Sequence, residues 1–397
     1  MGTEWSIELL WSIGKLFLNP LFYYSFLICI VIGYFRVKQE RRNFKIRAES
    51  GYYELKNLVP PGLLFGIILS VLTIGAGTVI PVAAVFLIAA VTILMSWTAK
   101  LRMLSPSYVI GIAIFALFFL YEKDVPIPFL DEAIHELDAP LYPVLAVLMG
   151  LLIIVEGLLI RKNASKGTSP TLITSNRGMT VGAHVSKRVW MIPLFLFIPG
   201  GDLAAPFEWW PVFSAGDSIQ FTPILFPFLA GFEQQVQGSL PKKAIRASGL
   251  QIMALGVGIL AIATLSVWQP ILTIIAAAAA ILGQEIIHYA NKMRDQRSTL
   301  YFSKRDRGVL ILGIIPGSPA EKMALEVGEI ITKVNGTPVN TEKELYEALQ
   351  YNRAHCRLEV LDSNDQIRFV QRALFEGEHY ELGILFIPEP RDTKQVG

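Results

Sequence analysis

The pattern closest to a catalytic motif is Gln284-Glu285-Ile286-Ile287-His288, in the last apolar segment of the chain. Zinc metalloproteases use His-Glu-x-x-His, in which both histidines bind the metal and the glutamate acts as general base. Glutamine stands here in place of the first histidine, and an amide is a poor replacement for an imidazole ligand. We therefore predict that Glu285 and His288 are polar residues near the cytoplasmic membrane interface.

A second candidate is Glu156, an acid inside an apolar run, where ionisable residues are costly and often functional. Arg161 and Lys162 follow about one turn later, which favours a side chain that reaches the membrane interface instead. No phosphate-binding loop or nucleophile elbow is present in the sequence, and its histidines are scattered. The sequence predicts no catalytic residue, no metal ligand and no cofactor, and hence no enzyme. The histidines are His135, His184, His288, His355 and His379.

Composition indicates where most of the chain lies. Of its 397 residues 53% are hydrophobic, and the mean hydropathy is +0.47, too apolar for a soluble protein of this size. The net charge of +2 does not favour nucleic acid as a partner. Cys29 and Cys356 are not expected to form a disulfide bond.

Apolar segments predict a multi-pass membrane domain over residues 1–295, with about eight crossings. The segments 62–80 and 82–98 each approach the roughly 20 residues that a helix needs to span the hydrocarbon core, whereas 221–232 is short, contains proline and could be re-entrant. The stretch 5–18 could be an interfacial helix or half of a hairpin. The segments are 21–35, 62–80, 82–98, 108–121, 141–160, 190–199, 221–232, 249–268 and 271–287.

Charge in the connecting loops indicates which side of the membrane each loop faces. Residues 36–47 and 161–188 are rich in Lys and Arg, as cytoplasmic loops are, whereas 122–140 is rich in acids. Trp209 and Trp210 suit an outer interface. Basic residues also follow the last apolar segment, so we expect the C-terminal region in the cytoplasm. Orientation alone explains the basic loops, which could also bind anionic lipid.

Residues 308–336 predict a small α+β domain. A strand at 309–315 is followed by Pro316-Gly317-Ser318-Pro319, a short helix at 320–325, a strand at 330–334 and an Asn335-Gly336 turn. This order resembles a bacterial PDZ domain. The resemblance implies a cytoplasmic domain over 296–390, followed by a polar tail at 391–397, that binds a peptide as an added strand beside a helix. Ala324 stands where glycine is common in the family, and Glu329 where aspartate is common.

The candidate peptide groove has two walls. Residues 341–351 predict a helix with Thr341 as N-cap, and Glu381-Leu382-Gly383-Ile384 resembles the carboxylate-binding loop of protease-associated PDZ domains. In those domains this segment precedes the first strand, so its late position here implies either a circular permutation or a simple closing strand. The predicted groove residues are Leu382, Gly383, Ile384, Leu385, Phe386, Leu345, Tyr346 and Leu349.

The layout of the whole chain, with the opening runs 5–10 and 17–23, resembles the MinJ family of cell-division topology proteins of Bacillus-type bacteria. The resemblance implies a membrane scaffold at septa and cell poles that links DivIVA to MinD, and through MinD to the division inhibitor MinC. It leaves other division proteins, membrane lipid and self-association open as partners. Two other classes remain: a PDZ-containing membrane protease or protease regulator, and a transporter or lipid-handling protein.

Overall fold

The computed structural model describes residues 2–123, 133–134, 142–175, 178–212, 220–305, 307–352, 355–373 and 382–388. Several features of the sequence lie outside the described residues. They are most of the acidic loop predicted at 122–140, with His135, and also His379, Glu381 and the tail at 391–397. The helices are α1 (Gly2–Leu16), α2 (Pro20–Phe44), α3 (Tyr53–Lys56), α4 (Pro60–Ala76), α5 (Val82–Ser96), α6 (Pro106–Lys123), α7 (Pro143–Leu159), α8 (Pro241–Leu265), α9 (Leu272–Arg297), α10 (Pro319–Lys322) and α11 (Glu342–Tyr351). The strands are β1 (Ser169–Thr174), β2 (Thr180–Ala204), β3 (Gln220–Val236), β4 (Val309–Leu310), β5 (Gly313–Ile314), β6 (Ile330–Val334), β7 (Thr337–Pro338), β8 (His355–Leu361), β9 (Ile367–Ala373) and β10 (Ile384–Leu385).

The first part of the chain is an α-helical multi-pass membrane domain, as the sequence predicts. Within the described residues six helical stretches are long and apolar enough to cross a membrane, and α5 is a shorter apolar helix. A small α+β domain follows. The six stretches are Pro20–Phe44, Tyr53–Ala76, Pro106–Lys123, Pro143–Ala164, Pro241–Leu265 and Leu272–Arg297.

Several sequence-based assignments inside this domain are wrong. The segments 190–199 and 221–232 are not helical crossings, because they form parts of the strands β2 and β3. The basic stretch 36–47 is mostly helix rather than loop, since α2 continues to Phe44 and ends at Lys45 in the left-handed conformation. The supposed loop 161–188 contains a π-helical turn (Ile160–Ala164), β1 and the start of β2.

β2 and β3 form a long antiparallel hairpin with an apolar middle. Residues 190–199 pair in continuous register with 221–230. Ten residues at about 3.3 Å each extend about 33 Å, similar to the roughly 30 Å hydrocarbon core. Pro193 lies opposite Pro227. Neither proline has an N–H group to donate. The pair lies at a position where the ladder needs no hydrogen bond, so both prolines are compatible with the hairpin.

The outer edge of β2 is covered by α4 and the chain on either side of it. Met191 N–H donates to Leu58 O at 3.0 Å, and Phe195 N–H donates to Ser70 Oγ at 3.1 Å. Phe197 donates to Thr78 O and accepts from Ile80 N–H. An unpaired backbone group in hydrocarbon costs several kcal/mol, so these bonds satisfy the edge where water is excluded.

Two glycines allow α4 to approach this edge closely. A Cβ on Gly62 would overlap Met191 O, and one on Gly66 would overlap Pro193 O. The two glycines are four residues apart and therefore share one helix face. Backbone thus packs directly against backbone, as in small-residue interfaces between membrane helices.

The outer edge of β3 is covered by α1 and by the 3-10 turn Leu101–Leu104. Ser12 Oγ of α1 donates to Pro223 O at 2.6 Å. Leu101 N–H donates to the Glu233 carboxylate at 3.1 Å, and a Cβ on Gly231 would overlap Leu101 O. The segment predicted at 5–18 is therefore helical, and it packs on the hairpin. Trp210 is buried, whereas Trp209 is exposed.

Helices α7 and α8 pack tightly through small residues, and Glu156 lies in this region. A Cβ on Gly249 would come within 2.8 Å of Gly157 O. Glu156 is fully buried and accepts a hydrogen bond from Ser105 Oγ at 2.6 Å. The prediction that its side chain reaches the membrane interface is wrong, because neighbouring helices enclose it before it can extend toward the interface.

A buried cluster of four charges joins α2, α3 and β2. Arg36 donates to Glu40 at 3.1 Å and to Glu54 at 2.9 Å, and Arg188 also pairs with Glu54. Glu40 accepts in addition from Ala48 N–H at 2.8 Å and Ser169 Oγ at 2.6 Å. The two positive and two negative charges balance, as burial requires.

The C-terminal domain contains a sheet of order β4-β6-β8-β9, with β7 paired to β6. α11 begins after Thr341, whose hydroxyl accepts from Glu344 N–H at 3.1 Å, which confirms the predicted N-cap. Apolar residues from β4, β6, β8, β9 and α11 share one core with the segment around β10. This segment forms a separate pairing with β5.

Candidate functional site

The chain around β10 lies antiparallel to the chain around β5. Leu312 N–H donates to Leu385 O at 2.9 Å, and Ile315 N–H donates to Gly383 O at 2.8 Å. Leu382, Ile384 and Phe386 belong to the domain core, as alternation along an extended segment dictates. Among the described residues β10 has one strand partner, β5.

Helix α11 supplies the other side of the site. Leu345 and Leu349 are fully buried in the same core as Leu382. Tyr346 is half-buried, and its ring centroid lies 6.5 Å from that of Phe386 in an edge-on arrangement. The structure therefore brings the predicted residues of both walls together.

Gly383 has a backbone conformation that the site requires. Its φ is +78°, and an added Cβ would overlap Ser318 Cβ. Ser318 is the N-cap of α10, and its hydroxyl accepts from Glu321 N–H. Glycine at 383 thus lets the segment pass against the start of α10, where Ala320 N–H donates to Leu382 O at 3.0 Å.

The two departures from the PDZ pattern have structural roles. Ala324 has φ +53°, the left-handed region in which glycine is usual. Glu329 is buried, accepts from Glu326 N–H at 2.8 Å and pairs with Arg368 at 2.6 Å. Neither residue lies in the candidate groove, so neither determines a ligand.

The C-terminal domain is docked on the β1–β2 end of the membrane domain. Gly182 N–H of β2 donates to Phe302 O at 2.8 Å, and Phe302 packs with Leu310 and Leu312. His184 Nε2 lies 2.8 Å from Leu312 O, and its Nδ1 lies 3.0 Å from Thr168 Oγ1. Burial lowers the pKa of His184 to about 4, although the hydrogen bond to Leu312 O opposes this shift. The imidazole is therefore neutral near pH 7, with Nε2–H as donor.

The residues of the metalloprotease-like pattern have structural partners. Glu285 accepts from both Arg102, at 2.9 Å, and Tyr108, at 2.9 Å. Its side chain is 43% exposed, in agreement with a polar residue near an interface. Within the described residues no group of three or more His, Cys, Asp or Glu side chains could hold a metal ion.

Sequence reasoning missed the docking residues His184 and Phe302. The signal for His184 was weak, because it lies in a basic stretch that resembles a cytoplasmic loop. Phe302 lies between charged residues in the connection to the C-terminal domain. A buried aromatic residue inside a predicted linker could have indicated a contact between domains.

The membrane helices and the C-terminal α+β domain define a multi-pass membrane protein that carries a PDZ domain. A family model for the PDZ domain matches residues 310–362. The cell division topological determinant MinJ of Bacillus subtilis (strain 168) is 41% identical over 400 residues, which cover 100% of this chain and 99% of that protein. The chain therefore belongs to the MinJ family of cell division topological determinants.

Two further relatives match over shorter stretches. The probable MinJ of Lacticaseibacillus paracasei is 36% identical over 84 residues, 21% of this chain and 23% of that protein. Serine protease HTRA3 of Mus musculus is 37% identical over 62 residues, 16% of this chain and 13% of the protease. The latter is a PDZ match and carries no argument for proteolysis.

Proposed function

We propose that this protein is a membrane scaffold in division-site selection that links DivIVA at septa and poles to MinD, and through MinD to MinC. The observation that carries the proposal is the 41% identity to Bacillus subtilis MinJ along the whole chain. The role is one of binding, and no catalytic residue is assigned.

The arrangement of the domains supports such a role. The basic residues after α9 favour a cytoplasmic C-terminal domain, on the side where division proteins assemble. A binding domain that is fixed to the membrane raises the effective concentration of partners confined to the same surface. Modest individual affinities then suffice for recruitment. We propose that the chain divides into a membrane domain at 1–295, a PDZ domain at 296–390 and a tail at 391–397.

The proposed partner site is the groove between the β10 segment and α11. A peptide strand would pair with the second edge of β10, and its side chain would contact Tyr346 and Phe386. Leu382, Ile384, Leu345 and Leu349 hold the two walls together as core residues. Gly383 and Leu385 would hold the backbone of the β10 segment in position for this pairing.

Cellular location tests the scaffold role. A C-terminal fluorescent fusion should gather at septa and young poles of dividing cells of the native host, and it should lose this pattern when DivIVA is removed. A uniform membrane signal that is indifferent to DivIVA would contradict the proposal.

The groove is tested by Tyr346→Ala, with Tyr351→Ala as a matched control. Both residues lie on α11, but Tyr351 is 85% exposed, whereas the Tyr346 ring packs against Phe386. Removal of a ring at the groove should weaken capture of DivIVA or MinD by the full-length protein about fivefold or more, because an aromatic anchor residue contributes over about 1 kcal/mol to binding. Equal capture by both variants, with unchanged septal location, would place the partner contact elsewhere.

A further inference from the structure

A groove runs along one stripe of α2 on the membrane domain, separate from the PDZ site. Its residues follow the spacing of three or four that places side chains on one helix face. The opposite wall and the floor come from the end of α5, the following turn, β1 and β2, and the volume is about 980 Å³. The stripe consists of Tyr24, Leu27, Val31, Phe35, Lys38 and Arg42.

The apolar part of the stripe is about as long as one membrane leaflet is thick. From Tyr24 to Phe35 the helix rises about 17 Å, at 1.5 Å per residue, and half of the hydrocarbon core is about 15 Å. Leu27 is 52% exposed and Phe35 is 59% exposed, so this wall is open. A hydrogen bond between Tyr24 and Ser96 joins α2 to the end of α5 at the deep end of the groove.

The mouth of the groove is cationic. Lys38, Arg41 and Arg42 line it and are exposed, and none of the described residues that line the groove is acidic. The other two cations of the lining are neutralised by ion pairs. Arg36 pairs with Glu40 and Glu54, and Lys187 pairs with Glu233 at 3.0 Å. Three positive charges therefore lie together at the end of an apolar channel.

We propose that this groove binds an anionic phospholipid of the cytoplasmic leaflet. An acyl chain lies along Tyr24 to Phe35, and the phosphate contacts Lys38, Arg41 and Arg42. A zwitterionic lipid such as phosphatidylcholine fits the apolar part equally well, but its choline cation already compensates its phosphate, so it brings no net counter-charge to the three cations. The cationic mouth therefore selects the anionic headgroup. This site does not depend on the binding of a division protein, and it gives the membrane domain a lipid specificity of its own.

The test measures binding of fluorescent phosphatidylglycerol and fluorescent phosphatidylcholine to the full-length protein in neutral detergent micelles. The triple variant K38Q/R41Q/R42Q removes the three cations of the mouth. We expect its affinity for phosphatidylglycerol to fall about fivefold or more, since a basic residue near anionic lipid contributes about 1 kcal/mol. Its affinity for phosphatidylcholine should fall less, because the choline cation already compensates the phosphate of that lipid.

The matched control is K242Q/K243Q/R246Q, which removes the same charge from exposed positions on the first turns of α8, outside the groove. Its affinity for phosphatidylglycerol should equal that of the unchanged protein. The variant Val31→Trp fills the apolar channel while it keeps all three cations, and it should weaken binding of both lipids. Each variant is first checked for an unchanged elution profile.

Three results would overturn the proposal. Equal losses in the two triple variants would show that total charge, and not the groove, attracts the lipid. Equal affinities of the unchanged protein for the two lipids would show an apolar channel without headgroup selection. Binding of phosphatidylglycerol that Val31→Trp leaves intact would place the acyl chain elsewhere.

Discussion

At the scale of single residues, the buried charges of Arg36, Glu40, Glu54 and Arg188 are balanced by one another. Burial of an isolated charge costs several kcal/mol, and the mutual attraction offsets this cost only while every partner is present. Glu54 is central because it pairs with both arginines. Tyr53 adds its ring, which lies 4.7 Å from the Arg188 guanidinium.

The variant Glu54→Gln should destabilise the membrane domain by about 3–5 kcal/mol, because it leaves two buried arginines with one carboxylate. The measurement is thermal unfolding in detergent. Glu122→Gln is the control, since it removes the same charge from an exposed side chain near the end of α6. A Glu54→Gln protein as stable as the control would show that the cluster contributes little.

At the scale of elements, the hairpin β2–β3 depends on the helices that cover its edges. α4 meets the β2 edge through Gly62 and Gly66, where no side chain separates the two backbones. Overpacking such a contact forces backbone shifts, and backbone cannot move as a side chain can. Whether a glycine-to-alanine substitution in α4 stabilises or destabilises the protein therefore depends on the helix face that carries the glycine.

Gly66→Ala and Gly75→Ala make this dependence measurable within one helix. A Cβ on Gly75 meets nothing within 4 Å, so alanine there should stabilise α4 by up to about 1 kcal/mol through helix propensity. The same change at Gly66 should destabilise by about 1–3 kcal/mol through overlap with Pro193 O. Thermal unfolding in detergent compares the two, and equal shifts in the same direction would refute close packing at Gly66.

The sequence predicts most elements of the C-terminal domain but not the hairpin, although the strand predicted at 309–315 is divided into β4 and β5. The strand predicted at 330–334 is β6, and Asn335 and Gly336 have the positive φ angles that the turn signal indicates. By contrast, an apolar run of ten residues has no periodicity that separates a buried strand from a helix. Proline at 193, 223 and 227 was the available signal, because proline is disfavoured inside a helix and allowed where no ladder bond forms.

At the scale of the whole molecule, the PDZ domain is part of a continuous structure with the membrane domain. His184 and Phe302 join the two, yet no sequence pattern relates residues 118 positions apart. The groove residues were predictable because a family motif carries them. The docking contact was not, because it depends on how two separately recognised domains pack.

Docking should weaken in acid through His184. Its pKa is lowered on burial, so below its ordinary value of about 6.5 the exposed imidazole of the undocked state takes up a proton that the docked state excludes. The neutral imidazole of His184 makes its full contribution to docking above pH 6.5. This contribution decreases as the pH falls toward 4, by at most about 3 kcal/mol. Hydrogen exchange of the Gly182 amide, corrected for the intrinsic effect of pH, measures the strength of docking, because this amide donates to Phe302 O. His184→Gln should flatten this profile, and an unchanged profile would exclude His184 as the titrating group.

The order of the covering elements also bears on how the protein is made. α1 and α4, which satisfy the edges of β3 and β2, both precede the hairpin in the chain. During synthesis they leave the ribosome first, so the strands emerge after the groups that will pair with their free backbone polar atoms. The hairpin can thus enter the bilayer against a partner surface that already exists, and a nascent chain that lacks α1 or α4 would present unpaired strand edges to lipid during membrane insertion.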